Sequence, residues 1–174
     1  MMIIGEPIFF YLSFALIIAS LTDILTFRIP NWLTYSTLAV GIAYFSVAKG
    51  YEGFLFSLGG AAAGLGLLTL PYIIGGTGAG DVKLLGAVGS FLGPKGAFIV
   101  FIFSNIMAGI YALGLMASKG LLIGTLKRYG KVLKGFIITH QFIYIPPSNK
   151  EKKIRIRFGF AIALGTISYL ALWV

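Results

Sequence analysis

The chain has 174 residues, 58% apolar and only 11% charged, and its 14 Lys and Arg against five Asp and Glu leave a net charge of +9. Soluble domains average about 45–50% apolar and about 25% charged residues, so this chain is neither an ordinary soluble globule nor a disordered polymer. It has no cysteine, hence no disulfide, thiolate zinc site or cysteine nucleophile, and its basic balance fits membrane orientation and anionic lipid rather than nucleic acid.

The elements follow in chain order. Met1–Phe10 has no positive start and carries Glu6, which argues against a signal peptide. A membrane-spanning helix needs about 20 apolar residues, and Ile8–Phe27 qualifies, with Asp23 near its end. Arg28-Ile29-Pro30-Asn31 breaks it, because proline cannot continue a helix and restricts the residue before it. Trp32–Val47 and Phe54–Ile74 read as further spans, and Gly75–Gly80 as a glycine-rich break. Val82–Leu92 is apolar but short and ends at Gly93-Pro94. Gly96–Ala117 is a long span, Lys119–Arg157 a basic segment, and Ile156–Val174 the final span.

Charge decides the short segment. If Val82–Leu92 crosses, the connections holding Arg28, Lys83 and Lys119–Arg157 share one side, with 12 of the 14 cations, and only Lys49 and Lys95 lie opposite. Cytoplasmic loops are the Lys/Arg-rich ones, so both termini face outward. The expectation is an all-α, polytopic bundle of about six transmembrane helices, one integral-membrane domain over residues 1–174, with a basic cytoplasmic segment at 119–155.

Several features read as structural. Gly60-Ala61-Ala62-Ala63-Gly64 suits close helix packing rather than a ligand loop. Lys127, Lys131 and Lys134 recur at helical spacing within Leu121–Ile138, which suits a helix on an anionic membrane surface, with a site for a partner protein as the alternative. His140 stands without the companions a metal site needs, and Pro146-Pro147-Ser148-Asn149 reads as a turn. No metal and no cofactor is expected.

The chemistry concentrates in the only two aspartates. A charged carboxylate at a membrane-helix centre costs about 2.5–3.5 kcal/mol on insertion scales, less near an interface. An intramembrane acid is therefore a functional candidate. Asp23 lies about one turn from the inner end of the first helix, and Asp81 opens the fourth from the same side. Two adjacent carboxylates can share a proton, one acting as base on a water and the other donating to a substrate carbonyl. Each helix's own dipole favours negative charge on Asp81 and disfavours it on Asp23, which assigns Asp81 the role of base. Gly78 and Gly80, before Asp81, allow close backbone approach and positive φ. An extended substrate can pair with backbone exposed in this way, although a plain hinge between helices reads the same glycines as well.

Gly78-Ala79-Gly80-Asp81-Val82-Lys83-Leu84-Leu85 resembles the signature of the type IV prepilin peptidases. Asp23-Ile24-Leu25-Thr26-Phe27-Arg28-Ile29-Pro30-Asn31 resembles the same family's first-aspartate motif, at similar spacing. Arg157-Phe158-Gly159-Phe160-Ala161-Ile162-Ala163-Leu164-Gly165 is similar to its closing glycine-containing helix, though without the proline some members carry. The resemblance implies a membrane aspartic protease, with Asp23 and Asp81 as the catalytic pair and Gly78 and Gly80 as motif glycines. It implies cleavage of a basic leader from a prepilin-like or preflagellin-like membrane substrate at the cytoplasmic face, typically after glycine. The chain lacks the cysteine-bearing extension of the long members and resembles the compact form, which implies no methylation of the new amino terminus.

Three supporting residues have two readings each. Lys83 can act on the Asp81 carboxylate or snorkel to the interface. Arg28 can serve the site or only orientation. Asn31 can cap the second helix or help hold Asp23. Three other functions compete: an ion-coupled transporter using Asp23 and Asp81 as a proton relay, a presenilin-like intramembrane protease, and a non-catalytic scaffold. The scarcity of further polar residues in the spans counts against the transporter. Thr22 before Asp23, where a tyrosine is usual, and Ile-Pro-Asn after it count against the presenilin-like reading.

Overall fold

The structure, a computed structural model, describes residues 6–139 and 157–173. His140, the turn at Pro146–Asn149 and Glu151 lie outside the described residues. Those described form five α-helices and no strand: α1 (Glu6–Thr26), α2 (Asn31–Ile73), α3 (Ala79–Ser118), α4 (Leu122–Thr139) and α5 (Phe158–Trp173). Two compact units result, one of residues up to Ala108 together with those from Arg157 onward, the other of Gly109–Ile156.

In the first unit α1 shows why the chain belongs in a membrane. Its inward stripe of Leu12, Leu16, Ala19 and Asp23 is buried, while Phe10, Phe14, Ile17, Leu21 and Leu25 form an exposed stripe on the same helix. A helix apolar on both faces is solvated by lipid rather than water. α1, α2 and α3 are each long and apolar enough to cross a membrane, and α5 is a shorter apolar helix. With the core of α1, α3 and α5 built from Leu12, Leu84, Leu85, Val88, Phe91 and Ile162, this is an all-helical membrane protein.

The two longest helices are each folded double. Gly50 inside α2 has φ 59° and ψ −139°, and Gly93 inside α3 has φ 70° and ψ −180°, conformations open mainly to glycine. Across Gly50 the rings of Phe45 and Phe56 stand 5.3 Å apart, where eleven residues of unbroken helix would advance about 16 Å. Across Gly93, a Cβ built on Gly89 would come within 3.3 Å of the Ala97 Cβ. The four apolar stretches between Trp32 and Ala117 thus each occupy one arm of a folded helix.

The arms pack backbone to backbone. A Cβ on Gly60 would strike the Gly89 carbonyl oxygen, and one on Gly64 the Leu85 carbonyl oxygen. Without side chains between them the two backbones approach closely, which is how small residues drive helix association in lipid. The expected packing role of the Gly60–Gly64 run is met here. α2 then stops in a Schellman motif: Gly75 takes φ 81°, and the Gly76 N–H donates to the Pro71 carbonyl at 2.8 Å. The glycine-rich stretch before α3 is therefore a helix stop followed by a helix start.

In the second unit α3 ends at Ser118 in a similar way, with Gly120 at φ 65° and the Leu121 N–H donating to the Met116 carbonyl at 2.9 Å. α4 follows with the helical spacing expected. Ile123, Leu126 and Tyr129 are exposed, and Lys127 and Lys134 are exposed beside them.

Replacing Gly60 by Ala should lower the thermal unfolding midpoint in detergent, since overpacking a tight contact costs about 1–3 kcal/mol. The same change at Gly66, which has open space around its Cβ position, should leave the midpoint unchanged or raise it.

Candidate active site

Asp23 sits on the inward stripe of α1, one turn before the helix ends, and is only 6% exposed. The helix stops because Phe27 turns left-handed at φ 54°, its N–H still donating to the Asp23 carbonyl at 3.0 Å. A residue with a Cβ in that conformation costs about 1–2 kcal/mol. The Phe27 ring then lies 4.5 Å from the guanidinium of Arg157, a cation–π contact that offsets part of this. Ile29, buried in the linker, and Pro30, which opens α2, complete the corner.

Asp81 comes from the start of α3 and is 8% exposed. Gly78 is the residue before the helix: its carbonyl accepts from the Asp81 N–H at 3.1 Å and the Val82 N–H at 3.3 Å. In return the Gly78 N–H donates to Asp81 Oδ2 at 2.9 Å. This is the returning half of a capping box, an acid at the third helical position satisfying the amide at the cap. The run Gly78-Ala79-Gly80-Asp81 thus holds its own carboxylate. Gly80 has a packing reason as well, since a Cβ there would stand 3.2 Å from the Ile29 Cβ.

The two aspartates meet at one cavity of about 470 Å3, open to the outside. Asp23, Arg28, Asn31, Gly78, Gly80, Asp81 and Lys83 all line it, with Phe27, Ile29, Pro30 and Ala79 completing the wall. All seven residues singled out in the sequence are therefore brought to one place.

The supporting residues behave differently from expectation in one respect. α2 is preceded by Pro30 with no side-chain cap, and Asn31 is its first helical residue. Asn31 is thus not the cap. Its Oδ1 accepts from Lys83 Nζ at 2.8 Å, and Lys83 Nζ also lies 5.1 Å from the centre of the Tyr35 ring. The lysine is directed at α2 and ties the start of α3 to it. Arg28 is exposed at the cavity wall.

The sequence reading gave no role to α5 at this site. The Phe160 N–H donates to Asp23 Oδ2 at 3.3 Å across 137 residues, and Gly159 lies so near that a Cβ there would stand 3.0 Å from the same oxygen. The dipole argument counted only the helix to which Asp23 belongs. The amino terminus of α5 faces the same carboxylate and opposes that dipole, so the base cannot be assigned by helix ends. The only signal available was the Arg157–Gly165 run, whose place beside Asp23 no local pattern reveals.

Two buried carboxylates anchored by backbone amides on one open cavity are suited to acid–base work on a water and a substrate carbonyl. A family model described as the type IV leader peptidase family matches residues 10–113, more than half the chain, including both aspartates. No curated protein matches the chain, and no solved structure does.

The Lys83–Asn31 bond predicts coupled substitutions. In a double-mutant cycle on thermal stability, Asn31→Ala and Lys83→Met should show a coupling of about 1 kcal/mol. Strict additivity would mean that the bond contributes nothing.

Proposed function

The chain belongs to the type IV leader peptidase family, and from that premise we propose that it is a membrane aspartic endopeptidase removing the basic leader from prepilin-like or preflagellin-like precursors. The observation that carries this reading is the convergence of Asp23 and Asp81, the only aspartates, on one cavity. In the proposed reaction one carboxylate takes a proton from water as the water attacks the scissile carbonyl. The other, protonated, donates to the carbonyl oxygen. Collapse of the tetrahedral intermediate passes a proton to the departing amine. The open glycine turn at Gly78–Gly80 offers backbone along which an extended leader junction can lie. No cofactor enters these steps.

Six crossings are proposed: α1, the two arms of α2, the two arms of α3, and α5. Both termini then lie outside, and the aspartates face the cytoplasm with 12 of the 14 cations. Support comes from the folds at Gly50 and Gly93 and from the depth of the site. The first arm of α3, from Ala79 to the fold at Gly93, advances only about 21 Å, less than the ~30 Å hydrocarbon core. An acid at its start therefore lies at the membrane edge rather than out in solvent. α4 is proposed to rest on the anionic cytoplasmic leaflet, with Leu126 and Tyr129 immersed and Lys127 and Lys134, on another face, at headgroup level.

The test is cleavage of a membrane peptide carrying a basic leader, a glycine junction and an apolar helix. Asp23→Asn and Asp81→Asn should each lower the rate by about 10²–10⁴-fold, the range for loss of a general acid or base. An intact rate in either variant would end the two-aspartate mechanism. An uncleaved peptide together with aspartate-dependent ion transport would point to a carrier instead.

Topology has its own check, because the chain contains no cysteine. Cysteine at Glu52 should react with an impermeant maleimide from outside intact cells, and cysteine at Lys127 only after the membrane is opened. Outside labelling at both positions would remove the six-crossing arrangement.

A further inference from the structure

We propose that the first turn of α5 positions Asp23, and that Gly159 makes this possible because it has no side chain. The Phe160 N–H reaches Asp23 Oδ2 at 3.3 Å. Amide donors at a helix start are well placed to hold a carboxylate. They do so only if the backbone can come this near, and Gly159 packs directly against the carboxylate. A Cβ there would stand 3.0 Å from Asp23 Oδ2, 3.2 Å from its Cγ and 2.7 Å from Ile29 Cδ1.

A second contact fixes the same turn independently. Arg157, immediately before α5, sets its guanidinium 4.5 Å from the centre of the Phe27 ring. That ring is directed by the left-handed backbone ending α1 four residues after Asp23. The start of α5 is thus clamped to the end of α1 at two points, one apolar and cationic, the other on the carboxylate itself. Asp81 is held within its own helix start by Gly78. Asp23 has no such local anchor and takes one from the far end of the chain. Gly159 is accordingly a positioning residue for the carboxylate, not a group that touches substrate. The consequence for catalysis rests on the leader-peptidase reading, whereas the placement of the carboxylate does not.

The experiment uses the purified full chain in detergent and has two readouts. One is labelling of each aspartate by dicyclohexylcarbodiimide, followed by peptide mass spectrometry. The other is cleavage of the basic-leader, glycine-junction membrane peptide. In Gly159→Ala, labelling at Asp23 relative to Asp81 should change severalfold. On misplacement of this kind kcat should fall by about 10²-fold, with KM held near the wild-type value. Gly165→Ala is the control for general loosening: it is more crowded still on the same helix, with a Cβ 2.7 Å from the Ser104 nitrogen, and its contacts are with Ser104 rather than with a carboxylate. It should leave the Asp23 to Asp81 labelling ratio unchanged.

An unchanged ratio in Gly159→Ala, or an equal shift in both variants, would overturn the proposal. Adding Ile29→Val to Gly159→Ala removes the Ile29 Cδ1 contact and keeps the Asp23 one. Full recovery would show that Gly159 only makes room for Ile29 and would overturn the proposal as well; continued loss supports it. A wild-type chain that leaves the peptide whole while the ratio still shifts in Gly159→Ala would refute the leader-peptidase reading and support the positioning role.

Discussion

The structure depends on holding two carboxylates out of water inside an apolar bundle. A buried acid without partners is expensive, and in lipid few side chains are available to help. The chain uses backbone instead. Asp81 accepts from the Gly78 amide and Asp23 from the Phe160 amide. Both donors sit at helix starts, where N–H groups lack partners of their own and the helix dipole is positive. A cost of the acids and a cost of the helix ends cancel in one contact.

That solution dictates where the glycines go. Amides reach a carboxylate only where the backbone comes close, so Gly78 and Gly159 flank the acids. The same need for close approach recurs in the bundle, where Gly60 and Gly64 face the Gly89 and Leu85 carbonyls. There it brings the second arm of α2 hard against the first arm of α3, the arm whose start carries Asp81. Helix packing and acid placement are therefore linked: the depth and direction of Asp81 follow from how tightly its arm is seated.

Much of this was legible in the sequence because the relevant signals are local. Glycine and proline at Gly50, Gly75 and Gly93-Pro94 mark stops and folds, and uninterrupted apolar runs mark helices. The scarcity of acids singles out Asp23 and Asp81 by elimination. The capping geometry of Gly78 and Asp81 is local too, three residues apart. What was not legible is what depends on distant parts of the chain meeting. Asn31 has the composition of a helix cap, but Lys83, 52 positions away, takes its side-chain oxygen. The dipole at Asp23 looked one-sided until α5 came to face it from 137 positions away. Periodicity describes a helix's faces and says nothing about which other helix ends where.

The cavity's cations complete the argument. Arg28 and Lys83 both line the cavity that holds the two carboxylates. Lys83 is directed toward α2, its ammonium bonded to Asn31 and lying beside the Tyr35 ring, so part of its charge is taken up there. Arg157, just before α5, lies against the Phe27 ring. Each of these two cations is held at a seam between helix ends, Lys83 where α3 meets α2 and Arg157 where α5 meets α1. They brace the helix ends that carry Asp23 and Asp81, each against an aromatic face. A basic chain thus carries its two aspartates at one cavity with two cations tied to the frame, Lys83 to Asn31 and Tyr35 and Arg157 to Phe27, while Arg28 stands exposed at the cavity wall.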